Sequence, residues 1–504
     1  EPTRVPMSPS REGLCRQLTE TIHKDPMRFA PEAARFQALD PTYVRGFLQG
    51  IRQAVSETVG LPWAEILSLC YWVVQQPIAI EGRQVDKWGD DSDWGWTRKT
   101  IAGLLGVGLQ EGPSMIPFDL RRQVWNILEI LTNDPDPSPD DEATDEPIDP
   151  SHVAINSTRG EAIQTVVRYA LWVRSCLEKL PDGAEKIARG FQEMPEVRRV
   201  LETHLDLAQD PSLAIRSVYG RWFPSLTCLD MEWTKNHVRA IFPHGDSLRR
   251  YRDAAWDTYL VFCHPYTVVF DVLQEEYGNA IEQLGTPGTT RFASNCTTAN
   301  HLAEHLMVFY WQGKLPLDDA TGLLTRFHEK ATDALRGEAL EFVGRSLGRP
   351  DEALPEEISV RLKKLWEKRL ATITASGIPA DHTGELAAFG WWFVSRKFDD
   401  AWTMSQLLGV LSLVQKAEPD HLVVERLVAL AATMPLEAVQ CLTMMVQGDN
   451  EGWNVGGWRD DSRKILATAI GSGNSSAAQA AIDLVNRLAA RGMPDYKDLL
   501  HRSG

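Results

Sequence analysis

Two imidazoles and a carboxylate fall within one helical turn at His301-Leu302-Ala303-Glu304-His305. On a helix, the i, i+3, i+4 spacing places His301, Glu304 and His305 on one face, beside an apolar stripe of Leu302, Leu306 and Phe309. Two histidines one turn apart can hold Zn²⁺, and a carboxylate between them can activate its water; this is the H-x-x-E-H order of a zinc hydrolase. Such a centre needs a further protein ligand from another helix, and no second motif identifies one; Glu338, Glu341 and Glu385 are merely available. The same residues also suit a polar seam between packed helices, with each imidazole hydrogen-bonded instead of metallated. We read them as that seam, with zinc hydrolysis at His301, Glu304 and His305 as the alternative.

The other chemical patterns are weaker. Gly106-Val107-Gly108 lacks the third glycine and the preceding strand of a dinucleotide fingerprint. Asp449, Glu451, Asp460 and Asp461 crowd the loop GDNEGWNVGGWRDD without the spacing of a calcium loop, and suit capping of the following helix. No phosphate-binding loop, nucleophile elbow or H-E-x-x-H occurs, so no catalytic residue and no cofactor is assigned. Most of the tryptophans lie in helical patterns and suit core packing, while the adjacent Trp391 and Trp392 are candidate interface anchors.

Composition narrows the partner. The chain has 504 residues and a formal charge of −17, which argues against nucleic acid, since phosphate binding calls for a basic surface. No apolar run approaches ~18 residues, so no membrane span is expected. The start EPTRVPMSPSREG has no signal-peptide pattern and no initiator Met, as expected of a fragment of a longer protein. The seven cysteines (Cys15, Cys70, Cys176, Cys228, Cys263, Cys296, Cys441) are scattered and form no C-x-x-C, which suits a reducing cytoplasm.

The elements that must position these residues read as helices throughout. After a polar, proline-rich start, PTYVRGFLQGIRQAVSETVG places Val44, Phe47, Leu48 and Ile51 at helical period, and LPWAEILSLCYWVVQQP is bounded by Pro62 and Pro77. Residues 133–150 then hold eight Asp or Glu, five prolines and no Lys or Arg, the composition of an exposed, solvated linker. Thr158 and Glu161 after it have T-x-x-E capping-box spacing, and Ile163, Val166, Val167, Ala170 and Leu171 line one face of the helix that follows. A local echo relates the helix starts at Trp96 and Trp233, and more loosely Trp458, which suggests degenerate repetition of a packing unit. Strand-like alternation is nearly absent; QPIAIEGRQV is the best candidate.

These patterns predict an all-α chain, a HEAT/TPR-like α-solenoid of degenerate helix pairs roughly 35–45 residues long. The segments expected are N-terminal repeats over 1–132, an acidic linker over 133–152, central repeats over 153–375 and C-terminal repeats over 376–504. The phrases IDPSHVAINSTRGEAIQTVVRYALWV, AAWDTYLVFCHPYTVVFDVLQEEY, HLAEHLMVFYWQGKL and ERLVALAATMPLEAVQCLTMMVQGDNEGWNVGGWRDDSRKIL also form a recognisable set. Together they resemble the C-terminal helical-repeat regions of large bacterial antiphage-defence proteins. That resemblance implies a cytoplasmic sensor or assembly region, with an NTPase, sirtuin-like or nuclease effector upstream. It implies a protein partner, from phage or host or a second copy, and carries over no catalytic residue. The expected function is therefore a non-catalytic recognition or assembly scaffold.

Overall fold

The computed structural model describes residues 10–83, 91–142, 148–294, 297–347, 353–449 and 452–502. Among the described residues the chain is all-α; the only β pairings are isolated bridges, Ala79 to Asp93 and Ile148 to Thr290. The strand candidate in QPIAIEGRQV therefore yields a single bridge at Ala79, and its last residues, from Gln84, lie outside the described residues. No helix among the described residues is long and apolar enough to cross a membrane.

Two compact units divide the chain. The first comprises Glu1–Leu273 with Pro287–Thr298, and the second Gln274–Thr286 with Ala299–Gly504.

In the first unit the expected stripe is buried: Val44, Phe47, Leu48 and Ile51 of the Pro41–Ala54 helix are fully enclosed. Asp40 caps that helix by accepting from the Thr42 amide at 3.0 Å. Its partner is the Arg11–Lys24 helix, in the polar start of the chain. Thr19 and Cys15 on that helix donate to the Gly46 and Thr42 carbonyls, each at 3.0 Å. Cys15 and Thr19 thus face the packing seam together with Ile22. Packing then advances along the chain, from Pro41–Ala54 to Gly95–Gly108 and on to Thr158–Glu178. Gly106 and Gly108 lie inside the second of these helices, where a β-carbon on Gly108 would fall 2.6 Å from the Trp63 ring. They are close-packing glycines on a helix, not part of a nucleotide loop.

The acidic run departs most from expectation. Of its described residues, 133–142 and 148–150, Asn133, Pro135, Pro139, Asp140 and Asp141 are exposed, while Asp134, Pro137, Glu142 and Pro150 are buried. Asp134 is buried and pairs with buried Arg98 at 2.7 Å, while Arg98 also caps the Trp63–Val74 helix through the Val74 carbonyl at 3.1 Å. Asp136 accepts from the Thr158 amide at 2.6 Å, and its carbonyl accepts from the Arg159 amide at 2.7 Å. Asp136 thus caps the Thr158–Glu178 helix from a distance, and the expected Thr158–Glu161 box does not form. The Thr158 hydroxyl is buried without a partner among the described residues, and Glu161 pairs with Arg168 at 3.0 Å. Residues 143–147 of the run lie outside the described residues.

The tryptophan echo is also not repeated in packing: Trp96 is 57% exposed, while Trp233 and Trp458 are buried.

In the second unit the Asp333–Ser346 helix packs on Thr383–Ala387 and Phe389–Val394. These two pack on Asp400–Val414, and Asp400–Val414 packs on Pro435–Gly448. Asp449 caps the short Trp453–Gly457 helix through the Gly452 and Val455 amides at 3.1 and 2.9 Å, a capping role one helix earlier than expected. Glu451, named with it, lies outside the described residues, as does Cys296.

Candidate functional site

The H-x-x-E-H residues are on the Thr297–Trp311 helix, where His301 meets Glu304 and His305 turns to Tyr277. His305 is buried and its Nδ1 lies 2.8 Å from the Tyr277 hydroxyl. His301 is half-buried and its Nδ1 lies 2.9 Å from Glu304 Oε2. Each imidazole thus has its own local partner, the arrangement of a polar seam.

The ligand-type atoms that do converge belong to Asp333, His382 and Glu385, all within 4.8 Å of one another. The surrounding charges decide what that cluster is. Glu385 is fully buried and receives Arg336 Nε at 2.7 Å, Arg369 Nε at 2.5 Å and Arg369 Nη2 at 3.0 Å. Asp333 is taken up by the Gly384 and Glu385 amides at 2.7 and 3.0 Å, at the start of the Thr383–Ala387 helix. Two carboxylates are thereby balanced by two guanidinium groups, and a divalent cation would add charge to a site already neutral. Burial alone would raise the Glu385 carboxyl, but Arg369 and Arg336 outweigh it and hold the group down at about 2. Burial, with the charge of Arg369 beside it, pushes His328 down to about 3, so this imidazole is neutral. The cluster is an internal ion-pair lock joining three helices.

Trp391 and Trp392 separate in the structure. Trp392 is fully buried, donates from Nε1 to the Leu340 carbonyl at 2.8 Å and stacks on Phe398, so it presents no surface to a partner. Trp391 is half-buried, with the Arg345 guanidinium 5.5 Å from its ring centre.

Among the described residues, a further exposed apolar cluster lies at the end of the Arg249–Phe262 helix, where no motif marks it in the sequence. The Arg249–Phe262 helix buries Ala254, Ala255, Trp256, Tyr259 and Leu260 against the first unit's core. Its partner, Leu213–Arg221, approaches so closely that a β-carbon on Gly220 would fall 1.9 Å from the Ala255 carbonyl oxygen. Pro265 prevents continuation, and the chain leaves the helix in extended form at Cys263. There the Cys263 thiol, pushed up to about 12 by burial, donates to the Arg221 carbonyl at 3.1 Å and fixes the corner to the end of the neighbouring helix.

Phe262 at the end of this helix, His264 and Tyr266 in the corner, and Val268 in the first turn of the Thr267–Glu282 helix all face outward. Phe262, Tyr266 and Val268 are 45%, 52% and 53% exposed. Arg221 lies over the Phe262 ring at 4.8 Å, and Phe292 meets that ring edge-on at 5.7 Å. Aromatic rings with an arginine across one face are the side chains that dominate protein interfaces. The signal was present in FCHPYTV, where a proline separates helix ends that carry aromatic residues, but periodicity cannot show which side of a corner faces outward.

No protein-family model matches the sequence, and no curated protein is detectably similar to it.

Proposed function

We propose that this chain is a protein-recognition or assembly scaffold, a HEAT/TPR-like stack of degenerate helix pairs. In this reading it works in the cytoplasm as the sensor or oligomerisation region of a bacterial antiviral defence protein, without catalysis of its own. The corner formed by Arg221, Phe262, Tyr266 and Val268 is its recognition surface. The observation that carries the proposal is the exposure of three large apolar side chains within seven residues, with an arginine over one ring. Burying such a set against a partner removes apolar area from water, and a few central aromatic and arginine side chains supply most of an interface's energy. The contacts from one helix to a later one along each unit support the same reading.

The test pairs Phe262→Asp with Tyr266→Asp. The protein is recovered from phage-challenged and unchallenged cells after crosslinking, and its oligomeric state is measured by light scattering. The expected result is a specific partner, or a self-assembled form, whose yield falls about tenfold or more in the double variant. Circular dichroism should stay unchanged, since neither side chain is in the core. Equal recovery by wild type and double variant would remove the corner from the proposal. A monomer that captures nothing under either condition would remove the scaffold reading itself.

A further inference from the structure

One face of the Gly95–Gly108 helix gathers cationic side chains in excess of the acidic ones beside them. Trp96, Lys99, Gly103 and Gly106 follow one another at i, i+3, i+7 and i+10, so they line that face. Trp96 is 57% exposed, and the Lys99 ammonium lies 5.1 Å from its ring centre and donates to Asn156 Oδ1 at 3.3 Å. A glycine inside a helix weakens it relative to alanine, so two on one face call for a reason. They seat arginines. A β-carbon on Gly103 would fall 2.8 Å from Nη1 of Arg52, which reaches over from the Pro41–Ala54 helix. One on Gly106 would fall 2.6 Å from Nη1 of Arg168, which reaches over from the Thr158–Glu178 helix.

The charges do not cancel. Arg168 pairs with Glu161 at 3.0 Å and lies over the Trp222 ring at 5.4 Å. Arg52 is exposed and makes no hydrogen bond or ion pair among the described residues. Burial lowers the Lys99 ammonium and the charge of Arg52 adds to that, against Glu161 and Asp136, of which Asp136 already accepts from the Thr158 amide. Arg52, Lys99 and Arg168 thus stand against Glu161 and Asp136, although the whole chain carries −17.

We propose that this face binds an acidic segment of a partner protein in extended form, with a carboxylate held by Arg52 and Lys99 and an apolar side chain laid on Trp96. A guanidinium forks onto a carboxylate through two parallel N–H groups, and one already seated against a helix loses less freedom on binding. From Trp96 to Gly106 the face runs about 15 Å, at 1.5 Å per residue. That is the reach of about five residues of extended chain. Nucleic acid suits the face less well. It carries a charge at every nucleotide and would bring phosphates onto Glu161 in a chain already strongly negative, whereas a peptide can space its carboxylates to match Arg52 and Lys99. The surface shares no residue with the Phe262 corner and does not depend on it.

The test pans the full chain against a displayed library of random peptides and reads the affinity of the selected peptides by fluorescence anisotropy. The selected sequences should be rich in Asp and Glu beside an apolar residue, and exchanging those acids for Asn and Gln should weaken binding about tenfold or more. Arg52→Gln and Trp96→Ala should each weaken it by about tenfold. Gly103→Ala separates binding from folding. Its methyl group displaces only the tip of the flexible Arg52 side chain, and alanine favours the helix. This variant should therefore bind several-fold more weakly while its unfolding temperature is unchanged or higher. Selected peptides without acidic residues overturn the proposal, as does acid-dependent binding that Arg52→Gln and Gly103→Ala leave unchanged. Tighter binding of an oligouridylate than of the selected peptides, lost in the same variants, would overturn it in favour of nucleic acid. Because the probe is a peptide library, failure here leaves the corner untouched.

Discussion

Glu385 ties more charged side chains together than any other single residue of the ion-pair lock: two guanidinium groups and the His382 ring converge on it. Breaking such a pair from one side leaves the opposite charges buried without compensation, which is worse than never having buried them. Glu385→Ala strands Arg336 and Arg369, whose side chains are only 10% and 11% exposed, and is expected to cost about 3–5 kcal/mol. A urea titration of the second unit's tryptophan fluorescence measures it; a loss below about 1 kcal/mol would mean that water reaches the guanidinium groups and the lock is superficial. Sequence could not have located this cluster. Glu385 stood out only as an available carboxylate, and Arg336 lies 49 positions before it. Spacing arguments reach as far as one helical turn, which is why they found His301, Glu304 and His305 and could not see that His305 turns to Tyr277.

At the scale of elements, the acidic run shows what composition can and cannot convey. Eight like charges among five prolines read as a solvated linker, because repulsion is the only interaction visible locally. In the structure Asp134 pairs with buried Arg98, and Asp136 and Glu142 take up the starts of helices far along the chain. Glu142 is the clearest case: it accepts from the Ser212 hydroxyl at 2.7 Å and from the Leu213 and Ala214 amides at 2.8 Å each, all buried, at the start of the Leu213–Arg221 helix. The carboxylate satisfies amides that helix geometry leaves unpaired and meets the positive end of the helix dipole. Glu142→Ala should therefore destabilise the first unit by about 2 kcal/mol or more, with faster amide exchange at Leu213 and Ala214. Asp140→Ala, in the same run but exposed, should change neither. Equal and negligible effects from both would restore the solvated-linker reading. The helices themselves were legible, because the Val44 to Ile51 stripe and the prolines at helix ends act through local backbone geometry.

For the whole molecule, the all-helical class was readable from periodicity, whereas the division into two units was not. That division falls at Leu273 and Thr298, inside two continuous helices, where nothing in composition changes. It has a measurable consequence, because the two units bury titratable groups of opposite sign. In the first unit, burial raises Asp257 to about 7 and also raises Asp91 and Asp134. Stability from a raised carboxyl is fully present below its unfolded value and is lost as pH climbs through the folded one, so this unit loosens toward neutrality. Glu12 and Asp40 of the same unit are lowered, but their windows lie below the ordinary carboxylate range and do not enter near neutral pH.

The second unit runs the other way. Its His328 is held neutral down to about 3, so the unfolded chain gains a proton first as pH falls below the usual 6.5, and stability drops from there. Glu385, held down at about 2, adds a further loss only below its usual 4.5. Acidifying from pH 7 to 5 should thus strengthen the first unit and weaken the second, each by about 2 kcal/mol, from one to two pH units of linkage at roughly 1.4 kcal/mol each. Hydrogen exchange resolved by peptide reads the two separately: slow-exchanging amides in Arg249–Phe262 should gain protection, while those in Asp333–Ser346 lose it. His328→Phe should abolish the second change without touching the first, because a ring of similar bulk carries no proton to take up. A common shift of both units in one direction would show that overall charge, rather than these buried groups, governs the response.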